Sequence, residues 1–302
     1  MADHLAPNEL FGHVEDSPEF HFPRFFTSDE AHGHVAIPQP FSLDEPLVEM
    51  NTGNALIDNT IKPFDLKLTK FMVLEVVIAL IIFILFAALA ARLKGGHRPQ
   101  GRLWNLLEVF LLYIRDQIAR PCIGAHDADR FVPYLWTLFF FVLGCNLMGM
   151  IPWMGSPTGA LATTAALALT TFVVVVGSGM MQLGVVGFWK AQVPHMDLPK
   201  PIAVMLVPLI FVIEILGLFI KHCVLAVRLL ANMMAGHVVL AVILAFIGAS
   251  AVAGNAIWGS VTAASVLGAT ALSMLELFVA FLQAYIFTFL SALFIGAAVH
   301  PH

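Results

Sequence analysis

Two apolar blocks, Pro201 to roughly Ala249 and Trp258 to roughly Val299, each run for about 40 residues or more without a strong breaker in the middle. As helices at about 1.5 Å per residue they would each be about 60 Å long, twice a hydrocarbon core of about 30 Å. Such a helix must tilt steeply, lie partly along the membrane or break in two. A break would fall at the polar pair Lys221 and His222. Composition agrees with a membrane setting: 59% of the 302 residues are hydrophobic and 12% charged, against about 45 to 50% and about 25% in soluble domains.

The rest of the chain reads in the same terms. Phe71 to Ala91 gives 21 almost wholly apolar residues, about 31 Å of helix and a first span. Arg92, Lys94, Arg98 and Arg102 follow it while acids dominate before it, which places the downstream end inside and the amino terminus outside. Within 102–120, Arg102, Asn105, Glu108, Arg115, Asp116 and Arg120 fall in an arc of roughly 140° at about 100° per residue, the pattern of an interfacial amphipathic helix. Segments 131–151 and 160–186 form a hairpin through the uncharged turn residues Pro152, Gly155, Ser156, Pro157 and Gly159, and Lys190 and Lys200 return it to the inner side. The expected fold is an all-α polytopic membrane protein: five membrane-embedded helices plus one interfacial helix, with helices 201–249 and 258–299 steeply tilted and packed as a hairpin. The membrane domain is 71–302.

Residues 1–70 carry 12 acids and 4 bases, a formal −8, whereas 71–302 carry +3. This acidic segment, broken by seven prolines, reads as an extension outside the membrane, retained because no basic n-region leads into an apolar run. His4, His13, His21, His32 and His34 lack ligand spacing, so a solvated tail is expected rather than a metal site. Three cysteines without paired spacing argue for neither disulfides nor thiolate metal binding. G-x-x-x-x-G-K-[ST] and G-x-G-x-x-G are absent, so the chain reads as no enzyme, without cofactor, and any nucleotide acts on a different chain. No basic tract suggests nucleic acid.

Ionisable residues in a bilayer each cost about 2.5 to 3.5 kcal/mol at a helix centre and so need a reason. Glu214, Lys221 and Arg228 are seven apart and form one stripe, which Asn232 extends by a turn. Glu214 with Lys221 reads equally well as a structural salt-bridge ladder or as function. Arg228 has only Leu225, Val227, Leu229 and Leu230 around it, and a guanidinium that keeps its charge in hydrocarbon implies a carboxylate from elsewhere, most naturally a partner chain. His237, nine residues on, turns 180° away from that stripe. In the last block Glu276 and Gln283, seven apart, share a face, and His237 with Glu276 could relay protons. Ala231 with Ala235, Ala264 with Gly268 and Ala280 with Ala284 would let the two long helices approach closely. A self-contained secondary transporter or ion channel would also want such charges, but no internal repeat is visible. A haem or quinone subunit would need histidine pairs on facing helices, whereas His222 and His237 share one.

The run Arg228-Leu229-Leu230-Ala231-Asn232-Met233-Met234-Ala235-Gly236-His237, with Glu214 and Lys221 upstream, Leu282-Gln283-Ala284-Tyr285-Ile286-Phe287 in the last block and Asn146-Leu147-Met148-Gly149-Met150-Ile151-Pro152 closing the hairpin's first span, resembles the subunit a family of F-type ATP synthases. The likeness covers about residues 71–300. It implies that Arg228 is the stator arginine facing the carboxylates of a rotating c-subunit ring, flanked by Asn232 and Gln283. It also implies two offset half-channels, with His237 and Glu276 lining the outer one; that family carries this histidine and carboxylate in either order. Implied partners are the c-ring, the peripheral-stalk subunit b and the rest of the synthase. The implied location is a bacterial plasma (inner) membrane with the carboxyl end cytoplasmic. His222 stands where several relatives have proline.

Overall fold

The computed structural model describes residues 17, 19–21, 34–39, 68–93, 101–151, 154–193, 200–250 and 254–300. Helix α1 is Lys70–Leu93, α2 is Arg102–Tyr113 running through a π-helical turn, Ile114–Ala119, into α3, Arg120–Ile123, and α4 is Ala128–Gly149. A 3₁₀ turn at Pro157–Gly159 leads to α5, Leu161–Leu183, and α6, Val185–Ala191; α7, Lys200–Ser250, and α8, Asn255–Val299, follow. Five of these helices are long and apolar enough to cross a membrane, and the chain is an all-α polytopic membrane protein. Lys94, Arg98, Pro152 and Asp197 lie outside the described residues.

The two long helices are unbroken. α7 passes Lys221 and His222 without interruption, its one internal proline being Pro208, because lipid offers no substitute for a broken backbone bond. The His222 ring is buried between Phe172 and Phe294, each 5.2 Å away between centroids, and its Nδ1 lies 2.8 Å from the Leu218 carbonyl oxygen one turn back. α7 has 51 residues and α8 has 45, about 76 and about 68 Å of helix. They pack against each other, and α4 and α5 pack against both.

The packed centre is built from Leu225 and Leu229 of α7, Ala284, Phe287 and Ile295 of α8, and Leu135, Phe139 and Val142 of α4. Elsewhere large apolar side chains point outward: Phe83 is 72% exposed on α1, Leu267 73% and Met274 71% on α8. Lipid tails are as apolar as these side chains, so close packing and buried hydrogen bonds rather than apolar burial hold the helices together. Of the small-residue pairs, Ala280 and Ala284 are fully buried, while Ala231, Ala235 and Ala264 are exposed and Gly268 meets nothing within 4 Å. Spacing alone does not reveal which face of a helix meets a neighbour.

The segment 102–120 is not a uniform α-helix. Its π-helical turn widens the spiral, so a constant 100° step misplaces the residues after Tyr113. Ile114, Ile118 and Ile123 are buried against the bundle, while Leu103, Leu106, Val109 and Leu112 are exposed. Arg115 Nε donates to Asp129 at 2.9 Å and Arg120 pairs with Asp116 at 2.9 Å; the Asp129 carboxylate holds the Arg115 guanidinium above its ordinary value. Trp136 Nε1 donates to the Leu111 carbonyl at 3.0 Å, fixing α2 against α4.

Strands β1, Glu19–His21, and β2, His34–Ala36, pair antiparallel, with Glu19 opposite Ala36 and His21 opposite His34. Three residues per strand are too few to show a period of two, so this ribbon is not legible in the residue pattern. It is tied to α1: Lys70 N donates to Ser17 O at 2.9 Å, and the Gln39 amide exchanges two 2.9 Å bonds with the Leu68 backbone. His4, His13 and His32 lie outside the described residues.

Candidate functional site

α7 and α8 run antiparallel, and the polar residues along their contact meet in two pairs. Asn232 Nδ2 donates to Gln283 Oε1 at 2.8 Å. One and a half turns further along α7, His237 Nδ1 stands 3.4 Å from Glu276 Oε1, longer than a good hydrogen bond yet within ion-pair range. Glu276 is 6% exposed and Gln283 1%. The two α8 residues share a face, as their spacing of seven requires.

The His237 arrangement depends on Gly236. A Cβ at that position would stand 2.7 Å from Glu276 Oε1 and 3.1 Å from its Cδ. The missing side chain opens a notch through which the carboxylate reaches across α7 to the imidazole. This is why His237 meets α8, as Asn232 does, rather than presenting a separate polar face: a four-atom side chain crossing a glycine reaches a ring that helical angles alone would turn away.

Arg228 has no such partner. Among the described residues its guanidinium makes no hydrogen bond and no ion pair, although the side chain is only partly exposed. The other members of its stripe do pair: Lys221 Nζ lies 3.9 Å from Glu214 Oε1, with those side chains 51% and 43% exposed. At that distance and exposure the pair contributes little to stability. The Arg228 neighbourhood on α7 includes Val224 and Val227, both exposed.

Several buried polar atoms of the site lack a hydrogen-bond partner: His237 Nε2, Gln283 Nε2 and Glu276 Oε1, the last with only its longer contact to His237 Nδ1. Leaving such an atom unpaired costs about 1–3 kcal/mol. Among the described residues no group of three or more His, Cys, Asp or Glu could hold a metal ion.

Sequence reasoning passed over a second polar cluster. Asn146 is fully buried on α4, accepts from Thr158 Oγ1 at 2.8 Å and donates through Nδ2 to the Ala280 carbonyl of α8 at 3.3 Å. Ser156 Oγ lies 2.9 Å from Thr158 Oγ1. Glu75 of α1 accepts from Thr163 Oγ1 of α5 at 2.7 Å. The signal for Glu75 was available: it is the one ionisable residue in 71–91.

The ATP synthase A chain family matches residues 72–296. The chain is 42% identical to ATP synthase subunit a of Myxococcus xanthus over 79% of its own length and 76% of that protein. It is 38% identical to ATP synthase subunit a of Anaeromyxobacter sp. over 90% of its length, and 39% identical to that of Chloroherpeton thalassium over 78%. These matches span 61% and 68% of those two proteins. With three quarters of the chain inside the family match and five apolar helices around it, the chain belongs to the ATP synthase A chain family, that of subunit a of the F-type ATP synthase.

Proposed function

We propose that this protein is the ion-channel part of the membrane stator in an F-type ATP synthase, carrying two offset half-channels and presenting Arg228 to the carboxylates of a c-subunit ring. The single observation that carries the reading is the unpartnered Arg228 guanidinium beside two polar pairs, Asn232 with Gln283 and His237 with Glu276, that meet across α7 and α8. A permanent charge in that setting is tolerable when an anion from another chain keeps returning to it.

A proton enters from the outer side, passes the Glu276 and His237 pair, and neutralises a ring carboxylate. The neutral acid crosses lipid at low cost, where the ionised form could not. When the ring brings that acid round to Arg228, the fixed positive charge favours the carboxylate, and the proton leaves by the inner half-channel. The same charge blocks direct leakage between the half-channels. Asn232 and Gln283 hold the wall beside Arg228. The unpartnered atoms His237 Nε2 and Gln283 Nε2 support this reading, since water in a half-channel satisfies them. Glu214 and Lys221 extend the polar stripe. ATP chemistry, the ring, the peripheral-stalk subunit b and the remaining synthase subunits belong to other chains, and the setting is a bacterial plasma membrane with the amino end outside and the carboxyl end cytoplasmic.

The test is Arg228→Lys in membrane vesicles holding the whole complex. Lysine keeps the charge but lacks the planar fork, so ATP-driven acidification is expected to collapse while the complex still assembles. Near-normal acidification by that variant would remove Arg228 from the mechanism.

A further inference from the structure

We propose that Glu75 is the proton-collecting carboxylate at the outer mouth of the half-channel that leads to Glu276 and His237; the inference rests on the function proposed above. An acid within an otherwise apolar span calls for a reason, and among the described residues no cation pairs with Glu75. Its side chain turns inward to a hydroxyl, Thr163 Oγ1 at 2.7 Å, although the adjacent Val76 and Val77 are exposed.

The packing puts Glu75 at the edge of a polar wall. A Cβ on Gly144 would stand 2.8 Å from Ile78 Cγ2, so α1 and α4 approach closely there. Glu75 lies three residues nearer the amino end of α1, about 4.5 Å further outward. Along α4 the next positions outward are Cys145, within electrostatic reach of Glu75, and Asn146. Asn146 joins Thr158, which joins Ser156, and the 3₁₀ turn carrying Thr158 packs on α1, α4, α5 and α7. A Cβ on Gly149 would stand 2.5 Å from that of Ser156, so this glycine lets the turn close onto α4. On its far side Asn146 reaches the Ala280 carbonyl, one turn beyond Glu276 on α8. A buried chain of hydrogen bonds thus runs from Ser156 through Thr158 and Asn146 to the α8 backbone one turn from Glu276, and Glu75 stands beside its outer end.

The step is a proton hop in balance. Hydronium at the outer surface gives a proton to the Glu75 carboxylate, leaving water and the carboxylic acid. The acid returns the proton to water on the inner side and is a carboxylate again. The Ser156 and Thr158 hydroxyls and the Asn146 amide orient that water. From α4 the titratable group within electrostatic reach of Glu75 is Cys145; α5 presents Thr163, which is uncharged.

The experiment uses proteoliposomes holding the whole synthase, with the potential clamped and the outer-side pH varied in the lumen. ATP synthesis is measured for wild type, Glu75→Gln, Glu75→Asp, Thr163→Val and Arg228→Ala. An anionic mouth raises local proton supply by about tenfold or more. Glu75→Gln should therefore lower synthesis roughly tenfold at near-neutral outer pH and recover as that side is acidified. Glu75→Asp and Thr163→Val should keep most of the rate. A wild-type profile for Glu75→Gln, a loss equal at all outer pH values, or the same loss in Thr163→Val overturns the proposal. If Glu75→Gln does not assemble, Glu75→Asp decides: a preserved profile supports collection and a uniform loss overturns it. Arg228→Ala separates the two readings, since coupling that survives it removes the proposed function itself, whereas coupling lost there with Glu75→Gln unchanged removes Glu75 alone.

Discussion

Gly236→Ala tests whether the approach of Glu276 to His237 matters for transport. The new Cβ would sit 2.7 Å from Glu276 Oε1, where ordinary contact begins at 3.4 Å. The carboxylate is the far end of a flexible side chain, so it retreats by about 0.7 Å instead of forcing the helices apart. Moved directly away, it stands about 4.1 Å from His237 Nδ1, compared with 3.4 Å now, outside ion-pair range. Leaving those buried groups unpaired costs about 1–3 kcal/mol, which corresponds to a rate loss between about fivefold and about 150-fold if the pair carries the proton. Helix propensity acts oppositely, favouring alanine by about 1 kcal/mol, so assembly should hold while transport falls. The assay is ATP-driven quenching of a pH-sensitive dye in inverted vesicles, normalised to the amount of assembled complex. Gly177→Ala, where a Cβ meets nothing within 4 Å, serves as the control. Wild-type quenching in Gly236→Ala would refute the notch argument.

Two further outcomes follow from the packing. Asn232→Leu should lower the thermal stability of the detergent-purified complex by about 1–3 kcal/mol, since it strands the buried Gln283 amide, and Gln283→Leu by less, since Asn232 is only partly buried; the double variant should lose less than the sum, and additive losses would show that the 2.8 Å bond is not energetically coupled. Gly296→Ala drives a Cβ into the Cys122 carbonyl oxygen and to 2.9 Å from its carbon. Backbone cannot step aside as a side-chain tip can, so assembly should fall by more than in Gly236→Ala, as read by the yield of intact complex.

Apolar run length located the five long helices, because a bilayer fixes how many apolar residues a span needs, but it left open whether 201–249 breaks near Lys221 and His222. The stripe of Glu214, Lys221 and Arg228 was equally legible, since any ionisable residue stands out in such a background. What helical angles could not supply was contact. His237 lies half a turn from Arg228 by arithmetic, yet it meets Glu276 because Gly236 removes the obstacle between them. The π-helical turn at Ile114–Ala119 broke the constant step on which the amphipathic reading of 102–120 rested. The roles of Asn146 and Thr158 depend on a turn folding back against α4, and no local pattern encodes that return.

The register of α7 on α8 accounts for the isolation of Arg228. Residue 232 meets 283 and residue 237 meets 276, so facing positions in this antiparallel pair have numbers that sum to about 514. By that rule Arg228 faces position 286, where Ile286 stands next to the fully buried Phe287. Glu276 is ten residues away along α8, about 15 Å of rise, beyond the reach of an arginine side chain. The same register that brings His237 to its carboxylate therefore denies one to Arg228. Ile286→Glu places an acid where the rule says the guanidinium can reach it. A partner held permanently at about 4 to 6 Å competes with any passing carboxylate, so coupled acidification should be lost while the complex still assembles. Ile286→Gln, matched in size and uncharged, should retain transport. If Ile286→Glu pumps as well as Ile286→Gln does, then Arg228 does not face α8 in this register, and its isolation needs another cause.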